Sequence, residues 1–311
     1  MLALLYPGQG AQSADFLHRL PAHRTVAETI EEASDALSLD VASLDSNDAL
    51  RSSVAVQITL VVAGVATQRR LADAGIEAQM HAGLSVGAYA AAVGCGAVSF
   101  GDALRMVKHR AVLMEQAYPS GYGLSAIEGL SEAQVETLIG AMTNASGPRV
   151  FIANVNAPRQ IVVAGSDEAL DAFNRQATAG GAHRAKRLAV SVPSHCELLA
   201  EASEALVAYA ADLPFGTPKQ LYVGNRRARA LHRPDDIRDD LATNMRYTVR
   251  WFDALTTIVE RGATLLVEGP PGQVLTDIAK AAYPQVEALA ASSFSDDRLV
   301  EVVRRKIAAS P

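Results

Sequence analysis

Cysteine is nearly absent from this chain, with only Cys95 and Cys196 in 311 residues. Two thiols so far apart give neither a disulfide framework nor metal-ligand spacing, so redox and zinc chemistry are not expected; nor is a permanently bound cofactor. Positive charge is in deficit as well: 28 Lys and Arg against 34 Asp and Glu leave a net charge of −6. That balance argues against holding nucleic acid through bulk charge. Long apolar runs are missing, since Ile58 to Ala66 is among the longest and a bilayer span needs roughly 18 to 20 residues. No membrane partner is expected. The apolar start Met1 to Tyr6 lacks a basic flank and runs into Pro7-Gly8, which is poor signal-peptide material and predicts a cytoplasmic location. Aromatics are few, at 5%, but 49% apolar and 20% charged residues describe an ordinary globular protein. The length suits a large α/β unit carrying a smaller insert.

The order of elements supports that division. Ala3 to Tyr6 reads as a buried strand ending in the glycine-bounded loop Pro7-Gly8-Gln9-Gly10. Ser53 to Ala74 has helical spacing with few charges. A strand at Gln79 to Ala82, a sharp turn at Gly83 to Gly87 and a small-residue helix at Ala88 to Gly94 follow. From Leu124 the pattern changes to strand, helix, strand, strand, helix, strand: Ser125 to Ile127, Ser131 to Met142, Val150 to Asn154, Gln160 to Ala164, Ser166 to Ala179 and Arg187 to Val192. The first of these helices opens with a Ser131-x-x-Gln134 capping box. This βαββαβ order is ferredoxin-like. Long helices then return, with a buried strand Thr264 to Val267. The expected fold is α/β: a hydrolase-like domain with a short parallel sheet (1–124 and 191–311), interrupted by a ferredoxin-like subdomain (125–190).

Gly83-x-Ser85-x-Gly87 between a strand and a helix has the form of a nucleophile elbow, in which flanking glycines let the chain turn tightly and lift Oγ above the sheet edge. A serine there needs a base, and the oxyanion formed on attack needs amide donors. Val86, next in the chain, and Gln9, in the first loop, are the candidate donors. The candidate base is His195 in Val192-Pro193-Ser194-His195, where the proline sets the approach of the chain. Cys196 beside it reads as a packed thiol.

Taken together, Pro7-Gly8-Gln9-Gly10-Ala11-Gln12, Gly83-Leu84-Ser85-Val86-Gly87, Arg110, Asn154-Val155-Asn156, Val192-Pro193-Ser194-His195 and Glu268-Gly269-Pro270 resemble the malonyl-CoA:acyl-carrier-protein transacylase family. The resemblance runs over nearly the whole chain. Fatty-acid and polyketide members usually carry His after the first elbow glycine and Glu after the last, where this chain has Leu84 and Ala88. With His18-Arg19-Leu20-Pro21, and Asn244-Met245 upstream of Val249-Arg250-Trp251, the chain is most similar to the epsilon subunit of malonate decarboxylase.

The resemblance implies a ping-pong transfer, with malonyl-CoA as donor substrate and an acyl carrier protein bearing a phosphopantetheine-type arm as acceptor. It implies Ser85 as nucleophile, His195 as base and Arg110 as the guanidinium that reads the malonyl carboxylate. Asn156 is expected to line the pocket. Asn244 stands where the fatty-acid enzymes carry Gln, as the group that orients the histidine. A basic stretch, Arg226 to Arg233, reads either as a solvated loop or as a docking patch for coenzyme A phosphates or an acidic carrier. Beside the malonate decarboxylase setting stand a fatty-acid or polyketide transacylase, an α/β-hydrolase esterase and a non-catalytic subunit that holds a carrier.

Overall fold

The computed structural model describes residues 1–144 and 149–309. In chain order the strands are β1 (Leu2–Tyr6), β2 (Met80–Gly83), β3 (Tyr122–Glu128), β4 (Val150–Ala157), β5 (Gln160–Ser166), β6 (Arg184–Arg187), β7 (Leu221–Val223), β8 (Ala230–Leu231), β9 (Leu265–Glu268) and β10 (Glu287–Ala290). The α-helices are α1 (Arg24–Leu37), α2 (Ser53–Asp73), α3 (Gly87–Gly94), α4 (Phe100–Ala117), α5 (Glu132–Asn144), α6 (Asp167–Ala179), α7 (Ala200–Ala210), α8 (Pro234–Thr243), α9 (Trp251–Glu260), α10 (Val274–Ala282) and α11 (Asp296–Ala309).

The larger sheet runs β10-β9-β1-β2-β7-β8, parallel except for the antiparallel edge strand β8. Every residue of β1, β2 and β9 is buried, as expected of strands covered by helices on both faces. One face packs against α2, α3 and α4, the other against α9 and α10. The run Ile58 to Ala66 lies within α2 and is buried throughout, so its apolar character serves the core. Among the described residues no helix is long and apolar enough to cross a membrane.

The smaller sheet is antiparallel, in the order β4-β5-β3-β6, with α5 and α6 covering one face. This is the strand order of a βαββαβ ferredoxin-like unit. The capping box forms: Ser131 N–H donates to Gln134 Oε1 at 2.9 Å, and Gln134 N–H to Ser131 Oγ at 3.4 Å. The other face carries Leu124, Ala153, Val162 and Ala164, which cluster with Cys196. A parallel bridge of Asn154 with Val249 ties β4 to the larger unit, through Val155 N–H to Val249 O and Val249 N–H to Ala153 O, both 2.9 Å.

One expected strand is displaced. The segment read as Arg187 to Val192 pairs with β3 at Arg184 to Arg187 instead. Its apolar part, Leu188 to Val190, leaves the ladder and lines the cleft beside Ser85. Apolar side chains predicted a buried strand, but Leu188 and Ala189 are exposed and Val190 is half-buried along the cleft wall.

Candidate active site

The elbow stands at the carboxyl end of β2, between the loops that follow β1 and β7. Ligands of open parallel sheets bind at such strand ends. Both elbow glycines are required by close approach. A Cβ on Gly83 would lie 1.9 Å from Gly87 C, and one on Gly87 would lie 2.2 Å from Tyr6 O. Ser85 between them is held at φ +55°, a left-handed conformation that disfavours a side chain. Its N–H donates to Asn225 Oδ1 at 2.9 Å.

His195 also has a left-handed backbone, with φ +66°, and its N–H donates to Met245 O at 2.7 Å. Nε2 lies 2.7 Å from Ser85 Oγ, and Nδ1 lies 2.7 Å from the main-chain oxygen of Asn244. A carbonyl can only accept, so Nδ1 carries the hydrogen and Nε2 presents its lone pair to the serine. Burial, reinforced by the Arg110 charge, pushes the imidazole pKa down to about 3. The histidine therefore stands neutral and ready to take a proton. Asn244 meets the ring as expected of the orienting residue, and the oxygen that does so is its backbone carbonyl, not its side-chain amide. The side chain is otherwise engaged: Oδ1 accepts from Arg110 Nη2 at 3.2 Å, and Nδ2 donates to Ser85 O at 3.3 Å.

Arg110 is completely buried, whereas Arg105 on the same helix α4 is exposed and paired with Asp102. Its Nη2 reaches Ser85 Oγ at 3.3 Å, and Nη1 donates to Gln57 Oε1 at 2.5 Å. Among the described residues no carboxylate pairs with it, and Nε has no partner. A buried cation held only by neutral oxygens lowers its own pKa through desolvation and attracts an anion. Gln57 escaped sequence reasoning. Its signal was a single amide in the apolar run of α2. Through Ser53 it joins Arg110 to Gln9: Gln57 Nε2 donates to Ser53 Oγ at 2.9 Å, and Gln9 Nε2 donates to the same oxygen at 3.3 Å.

A cleft of about 240 Å³ opens over Ser85 and His195, lined also by Gln9 and, from the smaller sheet, by Asn154 and Asn156, while Arg110 and Gln57 are not part of its lining. Val86 is fully buried beneath it at the start of α3. Among the described residues neither the Val86 nor the Gln9 N–H donates to another protein group. A hydroxyl, a neutral imidazole and a buried guanidinium thus meet at one strand end, an arrangement suited to acyl transfer.

Comparison with known proteins agrees with that chemistry. Residues 4–308 match the family model described as acyl transferase domain. The chain belongs to the acyl transferase family. It is 35% identical over 300 residues to the malonyl CoA-acyl carrier protein transacylase of Escherichia coli K12, covering 94% of this chain and 96% of that protein. The solved transacylase of Coxiella burnetii superposes with a TM-score of 0.92 at 32% identity, covering 98% of this chain and 97% of that one. A malonyl-transacylase solved with its type II polyketide acyl-carrier protein gives a TM-score of 0.92 at 32% identity, covering 98% and 99%.

In this acyl transferase Asn154 and Asn156 are both more than nine-tenths buried, and each has an Oδ1 without a partner. Cys196 is a packed thiol: it donates to Pro193 O at 3.2 Å, and burial pushes its pKa up to about 12. The basic stretch does not line the cleft. Arg226 stacks on Tyr247 with its guanidinium 3.4 Å from the ring centre, and Arg227, Arg229, His232 and Arg233 are exposed. The residue of that region which reaches the site is Asn225, just ahead of the cations. An amide directly after a buried strand and a glycine was the available signal, and the charge run that follows masked it.

Proposed function

We propose that the protein moves a malonyl group from malonyl-CoA to the prosthetic-group thiol of an acyl carrier protein by way of a malonyl-Ser85 ester. Ser85 Oγ gives its proton to His195 Nε2 and attacks the thioester carbonyl, and the Val86 and Gln9 amides take the oxyanion. The tetrahedral species collapses, the C–S bond breaks, and the histidine returns the proton to the leaving coenzyme A thiolate. The acceptor thiol then repeats the sequence in reverse. Arg110 pairs with the free malonyl carboxylate, which is the group that distinguishes malonyl from acetyl. The observation that carries this reading is the buried guanidinium, paired with no acid among the described residues and 3.3 Å from a serine that is itself bonded to a neutral histidine.

The relatives named above are transacylases, one of them captured with a polyketide carrier. They favour the fatty-acid or polyketide setting over the malonate decarboxylase one. An esterase would have little use for a buried cation beside its nucleophile, and a non-catalytic subunit would have no use for the hydrogen bond from Ser85 to His195. Incubation with malonyl-CoA alone, followed by mass spectrometry, should add about 86 Da to the peptide carrying Ser85, and Ser85→Ala should abolish the adduct. An unlabelled wild-type peptide would overturn the proposal. Transfer from the loaded enzyme to carriers with a phosphopantetheine or a longer dephospho-CoA-type arm separates the two settings.

A further inference from the structure

Ser85 sits in a backbone conformation it would not choose, and two side chains from outside the elbow bond its main chain: Asn244 at its carbonyl, at 3.3 Å, and Asn225 at its N–H, at 2.9 Å. Asn225 Oδ1 accepts from Ser85 N–H at 2.9 Å, and Asn225 Nδ2 donates to Gly83 O at 2.9 Å. β2 and β7 pair in register up to Ala82 and Val223, after which β2 turns away into the elbow. The Asn225 carboxamide takes over where the main-chain ladder stops, supplying one donor and one acceptor as a peptide group would. Asn225 is held in turn. Its N–H lies 3.0 and 3.1 Å from the two Asp240 carboxylate oxygens, and that carboxylate also accepts from Tyr222 Oη at 2.8 Å and from Arg226 N–H at 3.3 Å. Asp240, on α8, is buried, and no ion pair with it forms among the described residues. A buried carboxylate satisfied by Tyr222 on β7 and by two N–H groups of the loop that follows fixes that loop to the strand.

We infer that Asn225, anchored by Asp240, is a positioning residue that fixes the left-handed turn at Ser85, aiming Oγ at His195 Nε2 and setting the Val86 N–H for the oxyanion. This rests on Ser85 being the nucleophile. Displacing reacting groups by about 1 Å can cost on the order of 10²-fold in rate. Asn225→Ala is therefore expected to slow both malonyl loading and transfer to the carrier by about 10²-fold, with the KM for malonyl-CoA little changed. Asn225→Asp keeps the shape and the acceptor but loses the donor to Gly83 O, and should fall between Ala and wild type.

The decisive readout is a single-turnover experiment that measures the fraction of chains labelled and the rate constant of labelling separately. A smaller labelled fraction at the wild-type rate constant, in either variant, would mean Asn225 serves stability alone and would overturn the inference. If Asn225→Ala does not fold, Asn225→Asp decides by the same rate constant. Failure of Ser85 to label in the wild-type protein would sink the underlying reading instead, so the two failures are distinguishable.

Discussion

At the scale of single residues, the site is organised by what Arg110 lacks. Burial, reinforced by a guanidinium that pairs with no acid among the described residues, depresses the basicity of His195, and that guanidinium stands ready for an anion. Replacing Arg110 by Ala should cut malonyl loading by about 10²-fold or more, the usual loss when one partner of a buried charge pair is removed. Acetyl loading should change far less. Equal losses in a radiolabel transfer assay would show that the carboxylate is read elsewhere. The same pairing affects pH dependence. In the free enzyme the imidazole loses its proton at about 3, so loading measured as kcat/KM should stay flat as pH falls from 7 to 5. If Arg110 holds the malonyl carboxylate as proposed, the bound anion neutralises it and raises the histidine pKa, so the acid limb of kcat should lie at higher pH than that of kcat/KM. An acid limb of kcat/KM near 6.5 would contradict the neutral, buried imidazole.

At the scale of elements, the elbow depends on how closely α3 passes over β1 and β2. Gly87→Ala places a methyl 2.2 Å from the Tyr6 carbonyl, backbone against backbone, and should cost about 3 kcal/mol or prevent folding. Gly140, within α5, faces open space, with nothing within 4 Å of where a Cβ would stand, so Gly140→Ala should gain up to about 1 kcal/mol from helix propensity. Denaturant midpoints of the two variants should move in opposite directions. The motifs Gly83-Leu84-Ser85-Val86-Gly87 and Val192-Pro193-Ser194-His195 were legible because turn chemistry is local. The fate of Leu188 to Val190 was not, since apolar residues look the same whether they join a buried strand or stand largely exposed along a cleft wall. Ala88, one of the residues that pointed to malonate decarboxylase, is fully buried in α3, where packing alone can select it.

At the scale of the whole molecule, two histidines are buried in the neutral state. Burial lowers the His81 pKa to about 4, with Nδ1 at 2.8 Å from Tyr6 Oη. The unfolded chain protonates such a ring near 6.5, so below that pH the unfolded state binds more protons than the folded one. Stability is thus lost as pH falls from about 6.5 towards 4, by about 1.4 kcal/mol per pH unit for each such histidine. Asp240 and Glu268, whose carboxyl pKa values burial raises, oppose this trend equally in wild type and variant. His81→Gln should therefore give a stability profile flatter by about that slope, read from the fluorescence of the single tryptophan, Trp251. Parallel profiles would mean that the folded protein accepts the proton at His81.

The amino-acid sequence by itself determined the two-part α/β architecture, the serine at its glycine-flanked turn, the histidine after Pro193-Ser194 and the candidate arginine, because spacing, turn residues and side-chain chemistry are properties of short segments. Only the tertiary structure decided that Asn244 orients the histidine through its backbone, that Gln57 supports the arginine, and that Asn225 reaches the elbow from 140 positions away. Those roles arise from contacts between distant strand ends and helices. No local pattern encodes which amide will meet which carbonyl until the sheet has brought them together.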